Sequence, residues 1–410
     1  MEMEKMLKKY AELAVKKGVN TQENQTVIIN SPIECDNFAR EIAKAAYNVG
    51  AKEVVVHYND QKLQRIKLEN SSIETLSNTP EWLGESYNYY ARNGACVISI
   101  SASDPDAYKG IPVEKISAMQ KSRQLALSEY YEYSMANKIR WTVVSIPTEA
   151  WAIKIFPNLS KEKAVEKLWE VIFKVVRLDT ENPIKAWEEH NKNLREKLTY
   201  LNEKKFKKLH FKNNKGTNLT IELPEGHIWL GGSEYCSNGI EFNANMPTEE
   251  VFTLPKKDGV NGTVFSSKPL SYSGNLIDEF SLTFKDGKVI DFSAKEGYEV
   301  LKELLDSDEG SKYLGEVALV PYDSPISNSN IIFYNTLFDE NAACHLAFGK
   351  AYPICIEKGT DMSKEEFENH GVNTSIIHVD FMIGTNDLEI TGITEDKDSF
   401  EIFANGNWAF

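Results

Sequence analysis

Short runs of β-branched residues alternate with helix-forming segments over the first 150 residues, and this alternation most restricts how the chain can fold. Four of the runs are predicted to be strands, at Thr26–Asn30, Glu53–Tyr58, Ala95–Ser101 and Arg140–Ile146. Strands separated by helices favour a parallel sheet with helices on both faces and right-handed connections. The sequence therefore predicts a doubly wound α/β domain at the N-terminus.

This predicted domain has no glycine-rich loop of the kind that binds phosphate. Neither GxGxxG nor GxxxxGK followed by Ser or Thr occurs after the first predicted strand. Nucleotide-binding sheets of this class usually carry such a loop, because its backbone N–H groups hold the phosphates. A scaffold, a lid or an oligomer surface is therefore a better interpretation of the domain than a cofactor site.

Two long helices are predicted to connect this domain to the rest of the chain. In the first, Ser160–Arg177, Ser160 is the expected N-cap and apolar residues recur at helical spacing. The second, Ile184–Leu201, is richer in charge, which is typical of a solvated connector. A chain of 410 residues is too long for one typical core. We expect two domains, at residues 1–200 and 201–410.

After residue 200 the pattern becomes that of a β-rich domain. Lys285–Lys288 reads Lys-Asp-Gly-Lys between two apolar runs, which favours a hairpin. Further strands are predicted at Phe206–Phe211, Asn218–Leu223, Val317–Val320 and Ile376–Ile383, and helices at Glu296–Leu305, at Ala342–Phe348 and after a capping box of Ser363 and Glu366. We expect a barrel-like antiparallel sheet with inserted helices.

The composition of the chain excludes several classes of protein. The net charge is −15 and the pI about 5.1, which argues against general binding to nucleic acids or to an anionic membrane. No apolar run is long enough to span a bilayer, and the charged N-terminus lacks the apolar core of a signal peptide. The five scattered cysteines form no CxxC pair, which indicates reduced thiols in a cytoplasmic protein.

The pair His378-x-Asp380 is the sharpest candidate for a functional site. It lies in an apolar run, Ile376–Ile383, that is predicted to be a strand. Side chains alternate faces along a strand, so His378 and Asp380 should share one face. Burying an imidazole and a carboxylate in such a segment is costly unless a partner compensates them. A bound metal ion would do so.

Other ligand-type side chains of the second half are Glu249, Glu250, Glu316, Glu340 and His345. Carboxylates and imidazoles bind zinc, cobalt and manganese, and there are enough of them for two ions. Each one alone also has an ordinary explanation, such as a surface charge or a hydrogen-bonded core histidine. Cys344, beside His345, is interpreted as a small buried residue. His370 is interpreted as a helix C-terminal group, and the remaining histidines as structural.

Four segments together resemble the M29 family of metalloaminopeptidases, the aminopeptidase T group and its bacterial relatives. The segments are NANMPTEEVFT, GEVALVP, NTLFDENAACHLAFGKAYP and HVDFMIG, in the family's order and at similar separations. The resemblance covers the whole chain. It implies a cytoplasmic, dinuclear metal-dependent aminopeptidase that releases N-terminal amino acids from short peptides by means of a metal-activated water. It also implies a homodimer with an enclosed active site.

The resemblance assigns roles to individual residues. Those that match the family's metal site are Glu250, Glu316, Glu340, His345, His378 and Asp380. Glu316 is expected to bridge or face both ions, and Tyr352 matches an active-site tyrosine that contacts metal or a substrate oxygen. On one straight helix Glu340 and His345 would point about 140° apart. Glu340 is therefore a ligand only if the helix begins after it or if it serves the other ion, and it is alternatively the general base.

Two other functions remain open from the sequence. A different dinuclear hydrolase, acting on amide, ester or phosphoester bonds, would use the same ligands, and only the motif match separates it from an aminopeptidase. A non-catalytic protein with a structural metal is disfavoured, because structural zinc sites are usually rich in cysteine and these candidates are mostly carboxylates. Zinc, cobalt and manganese all suit the ligands, so the sequence does not select the metal.

Overall fold

The computed structural model describes residues 2–272 and 275–410. The chain divides into two units: unit 1 comprises residues 1–190 and 233–247, and unit 2 comprises residues 191–232 and 248–410. The division at residue 190 falls within a long helix, Pro183–Lys204, which also contains the boundary expected near residue 200. None of the helices that the structure describes is long and apolar enough to cross a membrane.

Unit 1 is built on a parallel four-stranded sheet, as the alternating pattern predicts. Its strands are β1 (Thr26–Pro32), β2 (Glu53–Asn59), β3 (Cys96–Ile100) and β4 (Trp141–Val144), in the spatial order β2–β1–β3–β4. The central strand β1 is buried on both faces at Val27, Ile28 and Ile29, whereas the edge strand β2 is half-buried or exposed. The continuous apolar run TVIIN suits a strand covered on both sides.

The helices of unit 1 connect and cover these strands. In chain order they are α1 (Glu2–Leu13), α2 (Asp36–Asn48), α3 (Gln61–Asn70), α4 (Ile73–Leu76), α5 (Glu81–Arg92), α6 (Val113–Ala126), α7 (Ser128–Met135), α8 (Glu149–Ile155) and α9 (Lys161–Val175), followed by α10 (Pro183–Lys204). Helix α9 forms where it is predicted. The hydroxyl of Ser160 accepts a hydrogen bond from the backbone N–H of Lys163 at its start, and Leu168 and Ile172 are fully buried.

Unit 2 contains an antiparallel eight-stranded sheet. Its strands are β5 (Lys208–Lys212), β6 (Asn218–Glu222), β11 (Val260–Phe265), β14 (Ser281–Lys285), β15 (Lys288–Ser293), β19 (Glu389–Ile393), β20 (Ser399–Ala404) and β21 (Asn407–Trp408). They pair in the order β15–β14–β11–β6–β5–β19–β20–β21. The predicted hairpin connects β14 to β15, with Lys285 opposite Lys288.

A second antiparallel sheet of unit 2 carries most of the candidate ligands. Its strands are β7 (Leu230–Gly231), β10 (Val251–Thr253), β16 (Leu314–Leu319), β17 (His345–Gly349) and β18 (His378–Met382), in the order β18–β17–β16–β10–β7. The helix predicted at Ala342–Phe348 is wrong, because a 3-10 turn, Glu340–Ala342, is followed by strand β17. A short apolar run does not distinguish a helix from a buried strand, and here pairing with strands on both sides decides.

The other elements are short. They are the paired strands β8 (Glu234–Tyr235) and β9 (Glu241–Phe242) in unit 1, and in unit 2 β12 (Leu270–Tyr272), β13 (Asn275–Ile277), α11 (Tyr298–Leu305), α12 (Thr336–Asp339) and α13 (Lys364–Asn369). The predicted capping box begins α13. The hydroxyl of Ser363 accepts from the backbone N–H of Glu366, and the carboxylate of Glu366 accepts from the backbone N–H of Ser363.

The core of unit 2 takes apolar side chains from both of its larger sheets. In the five-stranded sheet, the strands contribute Val317, Leu319, Leu346, Phe348 and Phe381 to this core. Because side chains alternate along a strand, the residues between them point away from the core. Packing of the apolar residues thus determines which face of this sheet carries the polar side chains.

Candidate metal centre

Three neighbouring strands place four polar side chains on the face of the five-stranded sheet that points away from the core. Glu316 on β16 is paired with Ala347 on β17, and Ala347 is paired with Asp380 on β18. His345 lies two residues before Ala347, and His378 lies two before Asp380, so both share that face. The small side chain of Ala347 leaves room for Glu316 and Asp380 to converge.

Glu250 reaches the same place from the next strand of the sheet. It immediately precedes β10, which pairs with β16 on the side away from β17. Its Oε2 lies 3.2 Å from Nε2 of His345. Glu250 is 7 % exposed, Glu316 5 % and His345 1 %, so both carboxylates and the imidazole are largely removed from water.

The ligand atoms form two groups, each of which lies within 4.8 Å. The first triad is Glu250, Glu316 and His345, and the second triad is Glu316, His378 and Asp380. Nε2 of His345 is 3.6 Å from Oε1 of Glu316, whereas Nε2 of His378 is 3.4 Å from Oε2 of Glu316. Glu316 therefore offers a different oxygen to each triad, which is the arrangement of a carboxylate that bridges two metal ions.

Backbone carbonyls orient both imidazoles. Nδ1 of His345 lies 3.2 Å from the carbonyl oxygen of Ala343, and Nδ1 of His378 lies 2.6 Å from that of Lys350. A carbonyl oxygen can only accept, so Nδ1 is the donor in each case. The lone pair of Nε2 is then available on the side of the carboxylates, as metal binding requires.

The residues present fit divalent metal ions. Oδ1 of Asp380 is buried and has no hydrogen-bond partner among the described residues, because its 3.4 Å contact with Nε2 of His378 lacks hydrogen-bond geometry. A buried carboxylate oxygen of this kind costs free energy unless a cation compensates it. Carboxylates and imidazoles are also the donor set that zinc, cobalt and manganese accept.

The proton affinities of the triads reflect the burial of several charges together. Burial raises the pKa of Glu250, despite the opposing effect of His345. Burial alone would lower the pKa of His345, but the nearby carboxylates of Glu250 and Glu316 raise it well above its ordinary value. Burial alone would lower the pKa of His378, but the neighbouring Asp380 raises it well above its ordinary value. Burial alone would raise the pKa of Asp380, but His378 lowers it below its ordinary value. In the metal-free protein the carboxylates therefore favour the protonated form of both imidazoles.

Glu340 lies beside the triads but belongs to neither. The 3-10 turn Glu340–Ala342 is followed by a strand, so Glu340 and His345 do not share a helix and the angular separation of a straight helix does not apply. Burial raises the pKa of Glu340 well above its ordinary value, and the charges of Glu250 and Asp380 raise it further. A carboxyl close to the ligands with a raised pKa is a candidate for proton transfer.

Tyr352 packs against the second triad. Its ring centroid is 4.8 Å from that of His378 and 6.1 Å from that of Phe252. Burial raises the pKa of Tyr352 well above its ordinary value, and the carboxylates of Glu316 and Asp380 add to the effect. The hydroxyl therefore stays protonated at neutral pH and is available as a hydrogen-bond donor.

Asn341 is a residue of this site that the sequence reasoning missed. Its Oδ1 accepts a hydrogen bond from the backbone N–H of Glu249 at 2.7 Å, and its Nδ2 donates to the carbonyl oxygen of Leu337 at 3.0 Å. It thereby ties the segment that carries Glu250 to the turn that carries Glu340. The only sequence indication is its place directly after Glu340, which is too common an arrangement to be specific.

Two residues that the sequence interpretation set aside lie outside both triads. The sulfur of Cys344 is buried and contacts the backbone N–H and carbonyl of Val320 at 3.4 and 3.3 Å. Nδ1 of His370 lies 2.8 Å from the carbonyl oxygen of Glu366, at the C-terminal end of α13. Both therefore have the structural roles that their sequence contexts indicate.

This chain is similar to known proteins along its whole length. A family model described as thermophilic metalloprotease (M29) matches residues 3–408. Aminopeptidase 2 of Geobacillus stearothermophilus is 52% identical over 407 residues, which cover 99% of this chain and 98% of the relative. Aminopeptidase AmpS of Bacillus subtilis is 51% identical over 404 residues, 98% of each chain. The structure of wild-type AmpT from Thermus thermophilus matches with a TM-score of 0.94 and 42% identity, over 100% of both chains.

Proposed function

The chain belongs to the M29 family of metalloproteases and is a metal-dependent aminopeptidase, and on that premise we propose that it releases N-terminal amino acids from short peptides at a dinuclear centre. The observation that carries this proposal is that the two carboxylate oxygens of Glu316 each belong to a different triad. We assign the five residues of the two triads as ligands. Zinc, cobalt and manganese are the candidate ions.

The proposed mechanism divides the work between the ions and the side chains around them. Two divalent ions would polarise the scissile carbonyl and lower the pKa of the attacking water. In its deprotonated form Glu340 accepts the proton of that water and passes it to the leaving amine, and burial, which raises its pKa above the ordinary value, makes it a stronger base than an exposed carboxylate. The hydroxyl of Tyr352 donates a hydrogen bond to the negative charge that develops on the carbonyl oxygen.

An exopeptidase must also recognise the free α-amino group of its substrate. Glu249 is buried next to Glu250 and is our candidate for this contact. Its carboxylate would attract the substrate's ammonium group, which an N-acylated substrate lacks. We therefore expect a blocked N-terminus to prevent cleavage.

We also propose roles for the two domains and an oligomeric state. Residues 201–410 would form the barrel-like catalytic domain, and the doubly wound N-terminal domain would be a scaffold. By resemblance to the family, the protein would be a cytoplasmic homodimer whose enclosed active site admits only short peptides. Light scattering on the purified protein tests the dimer. A series of peptides of increasing length tests the enclosure, because cleavage should slow as the peptide grows.

The direct test is an assay of the purified protein on leucine p-nitroanilide, first after chelation and then after addition of zinc, cobalt or manganese. Activity should be lost with the chelator and restored by at least one ion, and the N-acetylated substrate should not be cleaved. Metal-loaded protein that is inert on free-amine substrates but cleaves a phosphoester would instead indicate a different dinuclear hydrolase. A Glu316→Gln variant with full activity would contradict the proposed role of Glu316.

A further inference from the structure

The orientation of one candidate ligand depends on a backbone carbonyl. Nδ1 of His378 donates a hydrogen bond to the carbonyl oxygen of Lys350 at 2.6 Å, while Nε2 faces Glu316 and Asp380. In metal sites, the partner of the second ring nitrogen fixes the tautomer and the ring plane of a ligating histidine. The position of the Lys350 carbonyl thus sets the orientation of His378 within the second triad.

This carbonyl occupies space that only a glycine leaves open. The ladder between β16 and β17 shifts register between Leu314 and Glu316, which places Gly315 in a bulge. A Cβ on Gly315 would lie 2.4 Å from the carbonyl oxygens of both Gly349 and Lys350. The φ angle of Gly315 is not in the left-handed region. Space for these carbonyls, and not conformational freedom, therefore requires glycine here.

Asn373 holds the same segment by hydrogen bonds. Its side chain is fully buried, and its Nδ2 donates to the carbonyl oxygens of Gly349 at 2.7 Å and Gly310 at 2.8 Å. The backbone N–H of Lys350 donates to the carbonyl oxygen of Ile377 at 2.7 Å. These bonds fix the backbone on the N-terminal side of the carbonyl that receives His378.

We propose that Gly315 and Asn373 are positioning residues for metal binding at the second triad. They act through the Lys350 carbonyl, Gly315 by leaving space for it and Asn373 by anchoring the peptide before it. The inference rests on the proposed dinuclear centre and predicts an effect on one ion of the two. Outer partners of ligating histidines typically change metal affinity by about 10- to 100-fold.

Cobalt titration of the metal-free protein tests this proposal. By equilibrium dialysis the wild type should bind two ions per chain, and Gly315→Ala should bind one of them about 10- to 100-fold more weakly. Adding His378→Ala to Gly315→Ala should leave the tight ion unchanged, whereas adding His345→Ala should remove it. Asn373→Ala introduces no bulk, so a selective weakening of the same ion in this variant excludes a purely steric cause.

Gly262→Ala is the matched control for a general loss of stability. Gly262 lies on β11 in the eight-stranded sheet of unit 2, its φ is +118°, and a Cβ there would lie 2.2 Å from the carbonyl oxygen of Asn218. This variant should unfold at a lower temperature than the wild type with both cobalt affinities unchanged.

The outcomes separate this inference from the proposed function. If Gly315→Ala and Asn373→Ala bind both ions as the wild type does, or lose both equally, the positioning role is overturned and the dinuclear centre stands. If the wild type itself binds fewer than two ions, the proposed dinuclear centre fails, and the inference fails with it. Should Gly315→Ala not fold, Asn373→Ala alone decides.

Discussion

At the scale of single residues, we assign metal binding and proton transfer to different carboxylates. Glu316 and Asp380 lie in the triads, where a bound ion would hold their charge, whereas Glu340 lies outside both and has a raised pKa. We expect Glu340→Gln to lower kcat by about 10²- to 10⁴-fold, because the amide cannot take up the proton of water. Steady-state kinetics measures the loss.

Metal analysis of the same Glu340→Gln preparation decides between the two roles that the sequence leaves open for this residue. As the general base, Glu340 can be replaced without change in metal content. Loss of an ion together with activity would identify it as a ligand instead.

The Tyr352 hydroxyl should contribute to catalysis and little to metal binding. Its raised pKa keeps it protonated, so it can donate a hydrogen bond where negative charge develops. Removing a single donor of this kind typically lowers kcat by about 10²- to 10³-fold, which is our expectation for Tyr352→Phe, with KM nearly unchanged. Tyr322→Phe, at an exposed tyrosine, serves as the control. A loss that appears only in KM would contradict the role in the transition state.

At the scale of elements, the register of β16, β17 and β18 creates the space for the site. Ala347 lies between Glu316 and Asp380, and a leucine there would fill the room in which their carboxylates converge. We expect Ala347→Leu to abolish metal binding for a stability cost of about 1–3 kcal/mol. Its neighbour Leu346 faces the core, so Leu346→Ala should cost about 2–5 kcal/mol and still bind metal.

The two variants at positions 346 and 347 are compared by denaturant unfolding and by metal content. A greater loss of metal in the more destabilised protein, Leu346→Ala, would mean that metal binding follows overall stability and not the space beside Ala347.

Local patterns in this sheet are predictable from sequence, and its register is not. The apolar run Ile376–Ile383 predicts a strand, in which His378 and Asp380 would share one face, and β18 confirms the strand. This prediction needs only local sequence. The run around His345 has no clear period, and its helix prediction is wrong. The pairing of Ala347 with strands on both sides depends on segments far apart in the chain, so no single segment encodes it.

At the scale of the whole molecule, the class of each half follows from its pattern, but the path of the chain does not. Alternating strands and helices predict a parallel sheet in the first half, and unit 1 contains one, with the strand order β2–β1–β3–β4. Residues 233–247, however, return to unit 1, where Asn245 forms a parallel bridge with Val143. The strands of this segment are two residues long, which is too short for a periodic signal in the sequence. A single domain boundary near residue 200 also cannot describe a later segment that belongs to the first unit.

The buried cluster should couple the stability of the whole protein to pH. In the metal-free protein the pKa values of Glu250, Glu340, His345 and His378 are raised, so the folded state binds these protons more tightly than the unfolded chain does. The histidine contribution is complete below the ordinary pKa of 6.5 and is lost as pH rises through the raised values. The glutamate contribution has the same sign and begins to be lost above 4.5. Metal-free protein should therefore unfold at a lower temperature at about pH 8 than at about pH 6.5.

Bound metal should oppose this trend, because the ligands bind an ion in their deprotonated form and rising pH strengthens binding. At a free concentration 100 times its Kd, each ion adds about 2.7 kcal/mol to the free energy of unfolding. Calorimetry from about pH 6.5 to 8, with chelator and with zinc, should give two curves that diverge as pH rises. Burial lowers the pKa of His57 and His227. Their contribution to the free energy of unfolding rises with pH only up to the ordinary pKa of 6.5, so they do not alter the trend between about pH 6.5 and 8. A zinc-induced shift that stays constant with pH would show that the ion does not displace protons from the cluster.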